Sequence, residues 1–169
     1  MTWNDFYHRR DIINSVIENA KADPDGRLPF AEIPSARREF ASEQDLLLAL
    51  HHKWSQLLTG QLRTELSGAR DGEHSDAVTR AWHATEREHP VLRALIAANL
   101  DTTPALRAMH ETDLRTIAIA AGMAEPHEPA EEITRVGAAF LALITETETP
   151  RTRRRNPMEH LLRLLAPTA

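Results

Sequence analysis

The chain contains no cysteine, which excludes a disulfide framework, a thiolate metal site and a cysteine nucleophile together. Aromatic residues are scarce, at 5%. A core must therefore come mainly from Leu, Ile, Val and Ala, whereas β-rich domains lean on β-branched and aromatic residues. The six glycines are dispersed and form neither a phosphate-cradling loop nor a Gly-x-Ser-x-Gly elbow, so the signatures of nucleotide enzymes and α/β-hydrolases are missing. No apolar run approaches the roughly 18 residues of a membrane span. The opening Met1-Thr2-Trp3-Asn4-Asp5 has neither the basic nor the apolar region of a signal peptide. These absences set the expectation of a cytoplasmic protein with no membrane partner.

What is present describes a globular chain. Its 169 residues are 41% hydrophobic and 27% charged, enough for a real core and too apolar for wholesale disorder. The net charge of -5 is unevenly spread: beyond residue 150, five arginines face Glu159, which leaves -9 on the first 150 residues. Phosphate backbones attract positive charge, so that body is a poor non-specific nucleic-acid binder. The Arg151 to Arg155 cluster reads as a solvated tail.

Turn and capping signals divide the chain into seven or eight helices. The first is expected from a cap at Asn4 to Ala22, burying Trp3, Phe6, Ile13, Val16, Ile17 and Ala20, and the Asp23-Pro24-Asp25-Gly26 turn ends it. Pro29 and Pro34 allow only short helical turns over 28–40. Ser42, followed three residues later by Asp45, marks the start of a long helix to about Leu66, with Leu46, Leu50, Trp54, Leu57, Leu58, Leu62 and Leu66 on one stripe. After a loop, Ser75 caps a helix to His89, Pro90 breaks it, and Leu92, Leu95 and Ile96 lie on a second short segment. Thr103-Pro104 opens a helix that stops at Gly122, and Pro129 opens the next, whose face comprises Ile133, Val136, Gly137, Phe140, Leu141 and Ile144; Gly137 permits close approach of another helix, and these two helices are expected to contribute to a two-fold dimer. A polar linker from Thr145 to Arg155 and a short Leu-rich helix close the chain. No strand alternation occurs. The predicted fold is all-α, a bundle of helices in three parts: 1–66, 75–145 and 146–169.

Nine histidines invite a metal reading. Glu86 and His89 form a Glu-x-x-His pair, the unit that di-iron bundles use on two helices, but only one such unit is present. His51 and His52 are adjacent and point about 100° apart on a helix, and no His-x-x-x-His pattern occurs. No metal ligand, catalytic residue or cofactor is therefore assigned. Trp54 and Trp82 sit on apolar stripes, where core packing is the first reading; the sharper one makes them, with Leu95 and Phe140, the candidate walls of a pocket for a small apolar ligand.

The stretch Arg38-Glu39-Phe40-Ala41-Ser42-Glu43-Gln44-Asp45-Leu46-Leu47 resembles the end of the DNA-binding domain in tetracycline-repressor (TetR) family regulators. In that family an aromatic residue, a short Ser-Lys-Glu-like turn and a Leu-rich helix follow the recognition helix; Glu43 stands where lysine is usual. The resemblance implies a helical regulator with an N-terminal DNA-reading unit, Arg37 and Arg38 as its DNA contacts, and a body that binds a small ligand and pairs into a homodimer through its last long helices. Between Arg10 and Phe40 the chain is shorter than the family's three-helix unit, and Pro29 and Pro34 fall where the helix-turn-helix belongs. Residues 1 to 40 carry six basic against seven acidic side chains, so DNA binding is expected to be weak or lost. The alternatives are a helical-bundle enzyme using His and Glu with a metal, and a protein-interaction module.

Overall fold

Ser42 starts the helix that organises the molecule. In the computed structural model, which describes residues 3–22, 28, 30–70 and 72–148, its hydroxyl accepts the Asp45 backbone N–H at 3.1 Å and donates to the Asp45 carboxylate at 2.9 Å. The first contact satisfies a backbone N–H that the first turn would otherwise leave unpaired. The helix it opens, α3 (Glu43–Ser67), follows α1 (Trp3–Ala20) and a short α2 (Pro34–Glu39), and precedes α4 (His74–Glu88), α5 (Pro90–Asn99), α6 (Pro104–Ala120) and α7 (Ala130–Glu148). The protein is all-α, and among the described residues there is no strand.

α3 runs through the middle. It packs on α4, α6, α5 and α1, while α6 pairs with α7 and α1 with α2 and α5. Leu46, Leu50, Trp54, Leu58 and Leu62 are buried along it, with Leu57 and Leu66 half-buried. Its buried sector is wider than the leucine spacing implies, because Leu47 and His51 are buried as well. No helix of the described residues is long and apolar enough to cross a membrane.

Several boundaries differ from the sequence reading. α1 already includes Trp3, so Asn4 lies within its first turn and does not cap it. Ser75 is inside α4, whose N-cap position is Glu73; the Glu73 carboxylate instead accepts the Arg70 backbone N–H at 3.2 Å. α7 continues to Glu148, taking in residues assigned to the polar linker. The Thr145 hydroxyl turns back to donate to the Leu141 carbonyl at 2.9 Å, which lets a polar residue continue the helix without competing for an outside partner. The turn at 23–26, Pro29, the side chains of Trp3 and Phe6, the Arg151 to Arg155 cluster and the final Leu-rich helix lie outside the described residues.

Pro90 and Pro104 each occupy the first turn of their helices, where the missing N–H is no loss. Gly122, at φ +70°, takes the left-handed conformation that ends α6. The apolar face of α7 is used within the chain: Ile133, Phe140, Leu141 and Ile144 are buried. Gly137 lies so close to α6 that a Cβ there would collide with the Leu114 carbonyl. The close helix approach that the sequence offers to a second copy is thus made to α6 of the same chain.

Candidate functional site

Where α3 crosses α6, an otherwise apolar interior turns polar. His51 and Ser55, one turn apart on α3, meet His110 and Asp113, three residues apart on α6; both spacings place the two side chains on one helix face. His51 is fully buried, and Asp113 is 9% exposed. The Ser55 hydroxyl lies 2.9 and 3.0 Å from the two Asp113 carboxylate oxygens and 3.3 Å from His51 Nδ1. His51 Nε2 approaches Asp113 Oδ2 at 3.5 Å and makes no hydrogen bond. The rings of His51 and His110 meet edge to face, with centroids 6.3 Å apart.

Proton placement follows from this geometry. A hydroxyl has one proton, and a carboxylate is the strongest acceptor in its reach, so Ser55 donates to Asp113. The same oxygen lies 3.3 Å from His51 Nδ1, and a neutral ring carrying its proton there donates to Ser55 and turns the Nε2 lone pair toward Asp113; the other tautomer turns an Nε2–H toward Asp113 Oδ2 at 3.5 Å.

Burial sets the charges. Desolvation, helped by the Arg93 charge, lowers the pKa of His51 to about 4. The same two causes lower that of His110 to about 4. Desolvation raises Asp113 to about 6, against the stabilising Ser55 hydrogen bond. Near neutral pH the cluster therefore holds two neutral imidazoles and one carboxylate, so His51 and Asp113 are not an ion pair.

Arg93, from α5, is the fixed positive charge of this region. Its guanidinium lies 5.3 Å from the Trp82 ring and 5.9 Å from the Trp54 ring, and its Nε is 3.5 Å from Glu86. The two indoles contact each other at 5.3 Å between centroids, close to perpendicular, so Trp54 and Trp82 are brought together beneath Arg93. Leu95 and Phe140 belong to the same apolar core.

Neither of two clefts on the described surface is lined by these four residues. The larger, about 810 Å³, lies between α1 and α3 and includes Arg9, Ile13, Phe40, Leu48 and Lys53. The smaller, about 450 Å³, runs along α3 past His52, Ser55, Gln56, Thr59 and Arg63. Ser55 thus joins the buried cluster to the surface.

Arg37 and Arg38 are exposed in the last turn of the six-residue α2. Glu86 engages Arg93 and stands 3.8 Å from His83, and His89 sits at the α4–α5 corner; this pair is not part of the polar cluster. His51 faces inward and His52 outward, as adjacent helical positions require. His110 and Asp113 were not singled out from the sequence, although a His-x-x-Asp unit flanked by Leu106, Leu114 and Ile117 was visible there. No protein-family model, curated protein or solved structure matches this chain.

Proposed function

We propose that this chain is a small regulatory binding protein whose ligand site is the polar cluster between α3 and α6, beside the cleft along α3 that Ser55 lines, and whose DNA affinity is weak or absent. One observation carries the proposal: His51 is fully buried in a leucine-rich core with Nε2 making no hydrogen bond, turned toward a desolvated carboxylate. Unsatisfied polar atoms in a core cost stability. A titratable group perturbed by burial beside a cleft is a marker of a functional site. The TetR-like segment around Phe40 and Ser42 supports regulation over catalysis. The six-residue α2 supports little major-groove reading, which needs an inserted helix. Pairing of two copies belongs to the same reading. With Phe140, Leu141 and Ile144 turned inward, it falls to the outer face of α7, where Leu143 is 61% exposed.

The test is Asp113→Asn in the full chain at pH 7.5. Removing a desolvated charge while keeping the acceptor for Ser55 raises the melting temperature if the carboxylate is retained for binding. A lower melting temperature would show that the cluster is a structural network and count against the reading.

A further inference from the structure

We infer that His51, His110 and Asp113 are the protein ligands of a divalent first-row transition-metal ion of the zinc(II) class; the inference rests on the binding-site reading above and names its ligand. One ligand atom from each lies within 4.8 Å of the others. A tetrahedral set with bonds of about 2.0–2.1 Å needs separations of about 3.4 Å. The His51 Nε2 to Asp113 Oδ2 distance of 3.5 Å already meets this requirement, and the His110 ligand atom, within 4.8 Å of its partners, must move closer on binding.

Two features favour a cation over a mere polar network. His51 is fully buried and its Nε2, 3.5 Å from Asp113 Oδ2, makes no hydrogen bond, so that atom is left for a ligand. Ser55 stands where outer partners of metal ligands stand: its hydroxyl lies 3.3 Å from His51 Nδ1 and within 3.0 Å of both carboxylate oxygens, so it can orient the ring and the carboxylate together.

Two imidazoles and a carboxylate suit zinc(II), cobalt(II), iron(II) or manganese(II) rather than copper(I), which seeks thiolates, or calcium, which seeks oxygen alone. Three protein ligands leave a coordination position open. The Arg93 charge acts on both histidines, and Glu86 lies against it. With one carboxylate against a dication, the fourth ligand is water, hydroxide or a small anion.

The experiment titrates the tag-free, EDTA-stripped full chain with cobalt(II) chloride at pH 7.5, following the visible d–d bands, with zinc(II) in competition. The expected result is one cobalt per chain in a four- or five-coordinate spectrum, displaced by zinc. Affinity should fall at least 10-fold in His110→Ala and in the isosteric Asp113→Asn. Absence of saturable one-to-one binding overturns the proposal, as does binding that survives both substitutions. If cobalt fails to bind while Asp113→Asn raises the melting temperature, the metal assignment falls and the binding-site reading stands. If cobalt fails and that variant is destabilised, both fall.

Discussion

The Ser55 hydroxyl bonds the carboxylate of Asp113, 58 residues further along the chain, at 2.9 and 3.0 Å. Through that contact α3 and α6 share one polar junction inside an apolar bundle. Ser55→Ala removes the hydroxyl and leaves His51 Nδ1 and the carboxylate without their common partner. Metal affinity is expected to fall by about 10–100-fold. Asp113 is expected to titrate higher still, because the hydrogen bond that favours its ionised form is gone. Cobalt titration and carboxyl NMR chemical shifts against pH measure the two effects.

In EDTA, acid should destabilise the protein. His51 and His110 bind protons in the unfolded chain near pH 6.5 but in the folded chain only near 4. The stability they contribute is present above about 6.5 and is lost as pH falls toward 4. Asp113 has the opposite sign: it is protonated near pH 6 when folded but near 3.8 when unfolded, so acidification recovers stability over that interval. Two groups outweigh one, and the net loss is on the order of 1 kcal/mol per pH unit between about 6 and 4. Urea midpoints across pH 4–8 report it, and a stability that rises on acidification from 6.5 would contradict these assignments.

Gly137→Ala should be costly although alanine is the better helix former. Its Cβ would meet the Leu114 backbone, and backbone cannot swing aside, so α6 and α7 must separate. A loss of about 1–3 kcal/mol is expected, visible as a lower urea midpoint. The same change at Gly60, where a Cβ meets nothing within 4 Å, should be neutral or stabilising.

If two copies pair through the outer face of α7, Leu143→Glu should return the protein to a single copy without unfolding it. Light scattering that gives about 38 kDa for the wild type and 19 kDa for the variant fits two-fold pairing. A wild-type mass of 19 kDa across micromolar concentrations removes that part of the proposal.

Gel shifts at low salt with the upstream region of the protein's own gene should show weak binding or none. Arg37 and Arg38 are exposed, yet α2 has only six residues, under two turns, too little to lay side chains along base edges. Tight, salt-sensitive binding that is lost in Arg37→Ala/Arg38→Ala would refute this.

Local chemistry was legible wherever one residue type determines a local conformation. Ser42 as a cap, Pro90 as a break, Pro104 opening a helix and Gly122 closing one could all be read from the sequence, because each depends on neighbours within a turn. Boundaries set by neighbours elsewhere in the fold were not. Thr145 to Glu148 look like linker yet continue α7. The polar cluster was illegible for a related reason. His51 was weighed against its neighbour His52, whereas His110 and Asp113 lie on another helix. His110 and Asp113 become a pair with His51 only once α6 is laid across α3, and nothing in the spacing of either helix states that crossing. Gly137 was recognised as a point of close approach, but the identity of the approaching helix is a property of the assembled bundle.

Asp113 is followed directly by Leu114, whose carbonyl is the surface on which Gly137 rests. At that point the two helices meet with no side chain between them, so a shift of the α6 backbone beside Asp113 presses directly on α7, the helix whose outer face carries Leu143.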